Sequence, residues 1–302
     1  MTKLQGLTAA THTPFKADGE LNLPVVEMQA ELLVREGVQA VFIAGSTGES
    51  HSLTLVERLA LSQRWVEVAK GSPLKVIVHV GSNCLADART LAEQAQKSGV
   101  AAIAALAPSY FKPVTLATLV ECSRIVAAAA PGVPFYFYDI PSMTNVRFSM
   151  PDFLDLAATR IPTLAGLKFS NSDLLGYQRC LHNQGGHFDV PFGMDEFLLA
   201  ALAVGGIGGV GSSYNFAAPI YQRMIAAFNQ GDMATARQEQ FRSVQIIDHL
   251  GEFGYQAASR AVMEMRGIAV GPPRLPFAPL GPGKTDELRE SLTKMEFYEW
   301  IK

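Results

Sequence analysis

The chain has 302 residues, 48% of them apolar and 18% charged, with a formal net charge of −3. That is enough chain to bury a large core without cross-links, and its balanced charge gives neither nucleic acid nor an anionic membrane surface a footing as partner. No apolar run reaches the roughly 18 residues of a membrane span, and the opening MTKLQGLTAATHTPF lacks the apolar centre of a signal peptide, so a cytoplasmic location is expected.

Short runs rich in Ala, Val, Ile and Phe alternate with longer amphipathic segments. In chain order the runs are LTAATHTPF (7–15), AVFIAG (40–45), KVIVHVG (75–81), AAIAALAP (101–108), PFYFYDIP (134–141), LAGLKFS (164–170), FDVPFGM (188–194) and GGIGGVGSS (205–213). They lack an in/out alternation of polarity, as expected of parallel strands buried on both faces. The helical segments between them carry end signals. Thr54-x-x-Glu57 is a capping box with Gly71 as a stop, and Ser149-x-x-Asp152 with Pro151 opens another helix. About eight strand–helix units predict an α/β fold, a TIM (β/α)8 barrel, with a doubly wound open sheet as the alternative. After about Phe216 only helical patterns follow: 218–232, 235–254, 256–267 and 286–301, with the proline-rich 271–283 interrupting them. The first of these is expected to be the eighth barrel helix. The chain thus divides into a barrel over 1–230 and a C-terminal helical appendage over 231–302.

Barrel enzymes keep their chemistry at the C-terminal ends of the strands. Lys168 lies inside the sixth run, between Leu167 and Phe169. Burial disfavours an ammonium, and a neutral amine in a dry site is what attack on a ketone requires. The structural alternative is a lysine whose ammonium reaches solvent or pairs with a carboxylate at the strand end. The fifth run ends in Tyr138, a phenol able to shuttle protons beside an imine, with Tyr136 of the same parity as a competitor for that role. The second run ends in Gly45-Ser46-Thr47-Gly48-Glu49, where glycines, N–H groups and hydroxyls can cradle an anion. Gly206-x-Gly208-x-x-Gly211 has the spacing of a dinucleotide fingerprint, but a helical segment precedes it and the glycines fall inside the eighth strand, so a nucleotide role is rejected. The six histidines (12, 51, 79, 182, 187 and 249) form no pair at metal-ligand spacing, so no metal site is expected. Cys84, Cys122 and Cys180 are expected to be free thiols.

Taken together, Gly45-Ser46-Thr47-Gly48-Glu49, Tyr138-x-Ile140-Pro141, Gly166-Leu167-Lys168 and Gly211-Ser212 resemble the pyruvate-dependent class I aldolases, the superfamily of dihydrodipicolinate synthase and N-acetylneuraminate lyase. GLKFSNSDLL, FGMDEFLLAAL, GGVGSSYN and GPPRLP are most similar to the lyase branch. The synthases usually carry an arginine where Met143 stands, and an apolar side chain cannot replace a bidentate carboxylate clamp. Asp139 and Asn145 also depart from the lyase pattern, which has Asn or His and Gly there. They support an alternative: a related aldolase or dehydratase acting on another 2-keto-3-deoxy sugar acid.

The resemblance implies a Schiff-base retro-aldol cleavage of a sugar acid to pyruvate and N-acetylmannosamine, with no separate cofactor. Lys168 would be the covalent nucleophile, Tyr138 the proton shuttle, and Ser46 its hydroxyl partner. Tyr110 would join from a neighbouring subunit, which implies a homo-oligomer, expected as a homotetramer. Thr47 with Ser46 would hold the carboxylate, and Ser170, Gly193, Asp195, Glu196, Gly211 and Ser212 the sugar tail. An NAD(P)-dependent oxidoreductase and a non-catalytic sugar-acid-binding barrel are the readings from other classes.

Overall fold

The computed structural model describes residues 3–302. Its strands are β1 (Gly6–Ala10), β2 (Ala40–Ile43), β3 (Lys75–His79), β4 (Ala102–Leu106), β5 (Phe135–Asp139), β6 (Leu164–Phe169) and β7 (Gly208–Gly211), in the spatial order β6-β5-β4-β3-β2-β1-β7. Every paired neighbour runs parallel, with a helical segment between successive strands.

The sequence predicts an eighth strand at 188–194, and the structure departs from that in form. Pro191 has no N–H to give a ladder, so this segment makes single parallel bridges, Gly166 to Asp189, Phe169 to Phe192 and Phe192 to Gly209. Those bridges still close the ring. Leu167 N–H donates to the Asp189 carbonyl at 3.0 Å on one side, and Val210 N–H donates to the Phe192 carbonyl at 2.7 Å on the other. The result is the predicted TIM barrel.

Two apolar layers follow from the alternation of side chains along the strands. Ala10, Ala40, Phe42, Ile77, Ala104, Leu106, Tyr136, Tyr138 and Ala165 fill the barrel interior. Their sequence neighbours, such as Val41, Ile43, Phe135, Phe137, Leu164 and Leu167, face the helices.

One break in this alternation places Lys168. Ala165 faces inward, so strict period-two geometry would send Leu167 inward and Lys168 out to the helices. Between β5 and β6 the register jumps: Phe135 pairs with Leu164, but Tyr136 pairs with Gly166. The extra residue is a β-bulge, which re-aims everything after it. Leu167 therefore packs in the outer layer, and Lys168 comes level with Tyr138. Only glycine fits at the bulge, because a Cβ on Gly166 would lie 1.7 Å from the Asp189 carbonyl oxygen.

The capping signals hold. Thr54 and Glu57 close a reciprocal box on the helix Leu55–Ala69, and Ser149 accepts from Asp152 N–H at the helix Met150–Ala158. The first of these helices buries Leu61 and Trp65 against the barrel, about 2–3 kcal/mol for each side chain. Beyond β7 come the helices Tyr214–Asn229, Met233–Glu252, Tyr255–Met265 and Lys284–Lys294. The expected last helix over 286–301 is split, since Glu296 adopts a left-handed φ of 63° and starts a separate turn, Phe297–Trp300. The segment 271–283 is non-helical, as its prolines require. The three cysteines are free. Among the described residues no helix is long and apolar enough to cross a membrane.

Candidate active site

A cavity of about 930 Å3 opens at the C-terminal ends of the strands, between them and the C-terminal helices. Lys168 lies in its lining, 4% exposed. Its Nζ sits 4.1 Å from the ring centroids of both Phe42 and Tyr138. Lys168 makes no ion pair among the described residues, so the ion-paired form of the structural alternative does not apply. The Tyr138 hydroxyl is 3.2 Å from Ser46 Oγ, and both residues line the cavity. The competing Tyr136 is committed elsewhere: its hydroxyl donates to Asp189 Oδ2 at 2.8 Å in a buried contact.

Behind this centre lies His79, fully buried and packed edge-on to Tyr138 at 5.7 Å between ring centroids. Burial, with Arg58 adding to it, holds its imidazole well below the ordinary range, so the ring is neutral. Nδ1 is 2.9 Å from the Ala44 carbonyl, which can only accept, so Nδ1 carries the proton. This bond holds a strained residue, because Ala44 has a φ of 53° just before the anion loop.

The carbonyls of Ser46, Thr47 and Gly48 are all taken by protein donors. Ser46 O accepts from Glu49 N–H at 3.0 Å, Thr47 O from Gln256 Nε2 at 2.9 Å, and Gly48 O from Thr13 Oγ1 at 2.7 Å. The N–H groups of Ser46, Thr47 and Gly48 have no backbone acceptor among the described residues. Three consecutive donors beside two hydroxyls form a cradle suited to a carboxylate. Gly45 is required by Phe42, since a Cβ there would come within 2.6 Å of that ring.

At the other end of the cavity Ser170 Oγ is buried without a hydrogen-bond partner, and a Cβ on Gly193 would stand 2.0 Å from it. Asp195 is held from behind: Ser213 donates to its Oδ2 through both N–H (2.9 Å) and Oγ (2.5 Å). Burial pushes the carboxyl groups of Asp195 and Glu196 upward, and Ser213 opposes the shift at Asp195. Ser212 Oγ bonds the hydroxyl of Tyr255 at 2.7 Å, and both line the cavity.

Of the residues singled out from sequence, Lys168, Tyr138, Ser46, Thr47, Ser170, Gly193, Asp195, Glu196 and Ser212 line this one cavity. Gly211 serves by being small, because a Cβ there would lie 2.0 Å from Asp195 Oδ1. Tyr110 is not in the cavity. It is 77% exposed, stacked edge-on with the exposed Phe111, and Asn83 Oδ1 accepts from its N–H. Asp139 also lies outside the cavity, buried and bonded to Asn171 Nδ2 at 3.2 Å. Asn145 takes a left-handed φ of 51° at the end of the turn Pro141–Thr144, a position asparagine tolerates as glycine does. Neither departure from the lyase pattern touches the cavity, whereas Met143 does line it. The rejected nucleotide motif is strand β7, whose glycines press against Leu4, Gly6 and Tyr214.

Sequence reasoning missed Phe42, His79, Tyr255 and Gln256. Phe42 had a signal in Gly45, whose missing side chain makes room for the ring. The other three have none, because they meet the site across long stretches of chain.

The model of the dihydrodipicolinate synthetase family matches residues 3–295. The chain belongs to the dihydrodipicolinate synthetase family. Among the relatives in this family is the N-acetylneuraminate lyase of Rattus norvegicus, 42% identical over 279 residues, covering 91% of this chain and 87% of that protein. The Homo sapiens N-acetylneuraminate lyase is 40% identical over 98% of this chain and 93% of its own length. Among solved structures, Proteus mirabilis N-acetylneuraminate lyase superimposes with a TM-score of 0.94 at 40% identity, covering 97% of this chain and 99% of that one. The Aliivibrio salmonicida N-acetylneuraminate lyase (sialic acid aldolase) gives a TM-score of 0.95 at 41% identity over 97% of each chain.

Proposed function

We infer that this chain is an N-acetylneuraminate lyase, a class I aldolase that cleaves N-acetylneuraminate to pyruvate and N-acetylmannosamine. The observation that carries the chemistry is Lys168: a buried amine with no acidic partner, between two aromatic faces, beside the Ser46–Tyr138 hydroxyl pair. The family membership and the lyase relatives at about 40% identity support the choice of sugar acid.

The Ser46–Gly48 cradle takes the substrate carboxylate, which sets the neighbouring ketone against Lys168 Nζ. The amine adds to the ketone carbon, the Tyr138 hydroxyl gives its proton to the departing hydroxide, and water leaves, giving a protonated imine and a Tyr138 phenolate. Tyr138 accepts the C4 hydroxyl proton, the C3–C4 bond breaks, and its electron pair moves into the imine to form an enamine. The aldehyde sugar departs. A proton returned through Tyr138 to C3 and hydrolysis of the imine release pyruvate and restore the amine. Ser170, Glu196, Ser212 and the cavity-facing side of Asp195 meet the polyol tail with donors and acceptors, and no separate cofactor takes part. The exposed pair Tyr110 and Phe111 fits a surface covered by a second copy, with Tyr110 reaching the neighbour's site in a homotetramer in the cytoplasm. Nothing in the cavity favours another sugar acid, since Asp139 and Asn145 lie outside it.

The test is pyruvate release from N-acetylneuraminate, coupled to lactate dehydrogenase, together with borohydride trapping of pyruvate on the protein. Wild type should turn over and trap; Lys168→Ala should do neither. Trapping that persists in Lys168→Ala would remove the covalent assignment, and trapping by wild type without turnover would move the question to another sugar acid.

A further inference from the structure

We propose that Glu49 is a positioning residue for substrate carboxylate binding, clamped from the C-terminal extension by Arg260 and Gln256. The proposal rests on reading the Ser46–Gly48 loop as the carboxylate cradle.

Glu49 ends that loop in a left-handed conformation, φ 55°, which a glutamate adopts only when its surroundings over-determine it. Its carboxylate is fully enclosed, and Glu49 is not part of the cavity lining. Oε1 accepts from Arg260 Nη2 at 2.5 Å and from Gln256 Nε2 at 3.0 Å, and Oε2 accepts from Arg274 N–H at 2.9 Å. Arg260 is equally committed, since Nη2 also donates to Thr13 O at 2.9 Å and Nη1 to Val270 O at 2.9 Å. The side chains of this ion pair are 2% and 0% exposed. A buried pair of this kind adds little stability over apolar residues of the same volume, yet it fixes geometry.

What it fixes is the peptide orientation of the cradle. Gln256 Nε2 bridges Glu49 and the Thr47 carbonyl, and Thr13, whose own carbonyl is held by Arg260, donates to the Gly48 carbonyl. In a planar trans peptide the C=O and the following N–H point in opposite directions. Holding the Thr47 carbonyl toward the extension therefore turns the Gly48 N–H away from it, and the Ser46 carbonyl, taken by Glu49 N–H, orients the Thr47 N–H in the same way. Releasing Glu49 or Gln256 frees these planes to rotate and disperses the donors that face the carboxylate.

The experiment compares two ketones in the full-length protein: pyruvate, and acetone, which has a methyl group in place of the carboxylate. Borohydride trapping on Lys168 is followed by intact mass as a function of ketone concentration. Glu49→Gln removes the charge, and Gln256→Met removes the bridging donor at a half-buried position that tolerates it. Wild type should trap pyruvate in strong preference to acetone. Each variant should lose roughly tenfold of that preference, the equivalent of about 1.4 kcal/mol, with acetone trapping unchanged. A variant that keeps the wild-type preference, or traps both ketones less to the same degree, overturns the proposal. If Glu49→Gln fails to fold, the Gln256→Met result decides by the same criteria. Absence of any pyruvate preference in wild type would instead remove the carboxylate-cradle reading itself.

Discussion

Replacing Tyr138 by Phe separates a catalytic hydroxyl from a structural ring. The ring does packing work: it lies 4.1 Å from Lys168 Nζ and 5.4 Å, centroid to centroid, from Phe42, and phenylalanine preserves both contacts. The hydroxyl has one protein partner, Ser46 Oγ at 3.2 Å, and Ser46 faces the cavity, where water can replace the lost bond. The stability cost is therefore about 1 kcal/mol or less. If the hydroxyl carries the C4 proton, its loss removes general acid–base catalysis, typically about 10²–10⁴ in rate, or about 3–5 kcal/mol of barrier. Thermal unfolding measures the first quantity and lactate-dehydrogenase-coupled pyruvate release the second. Borohydride trapping of pyruvate should persist, because forming the imine needs the amine and the carboxylate cradle more than the phenol. A kcat within a few-fold of wild type would refute the assignment and move the proton to another group. A Tm collapse with proportionate loss of trapping would show that the hydroxyl is structural.

Gly166→Ala should cost about 3 kcal/mol or more, because its Cβ would stand 1.7 Å from a backbone oxygen. Whatever fraction folds should trap pyruvate poorly, since the bulge that aims Lys168 is what must give, and normal trapping per folded molecule would contradict that role. Ser170→Ala removes a buried hydroxyl with no hydrogen-bond partner among the described residues, so Tm should hold or rise while KM for the sugar acid increases about five- to tenfold; a fall in Tm with unchanged KM would place the hydroxyl in the scaffold instead. Asp139→Asn should stabilise the protein in a pH-dependent way. Burial raises this carboxyl from 3.8 to about 6, so the native state holds the proton more tightly than the unfolded chain does, and stability falls as pH rises from about 4 to about 6. The substitution should recover up to about 3 kcal/mol above about pH 7 and almost nothing below about pH 4, with activity retained; an equal Tm change at both ends would rule out this titration.

Lys168 was legible as a candidate because a charged residue inside an apolar run is conspicuous, and the barrel because strand–helix alternation repeats from the first run to about Phe216. The reason Lys168 faces inward was not legible. Strict alternation from Ala165 aims it at the helices, and only the register jump against β5, a contact between strands, reverses that. Pro191 lies inside a run read from sequence as an ordinary strand, and the bonds that close the ring come from its neighbours Asp189 and Phe192.

The larger omission was the C-terminal extension, expected from sequence as helices outside the barrel unit. Its residues are helical and amphipathic like any packing helix, so no motif distinguishes Tyr255, Gln256 or Arg260 from ordinary surface and core positions. Their partners lie far away in sequence: Gln256 meets Glu49 across 207 positions, and Arg260 meets it across 211. Two adjacent residues at the start of one helix reach two separate parts of the cavity lining, Tyr255 the Ser212 hydroxyl and Gln256 the Thr47 carbonyl. On the proposed mechanism the barrel would supply the nucleophile and its proton partner, while one helix of the extension contacts both Ser212 and the Thr47 carbonyl.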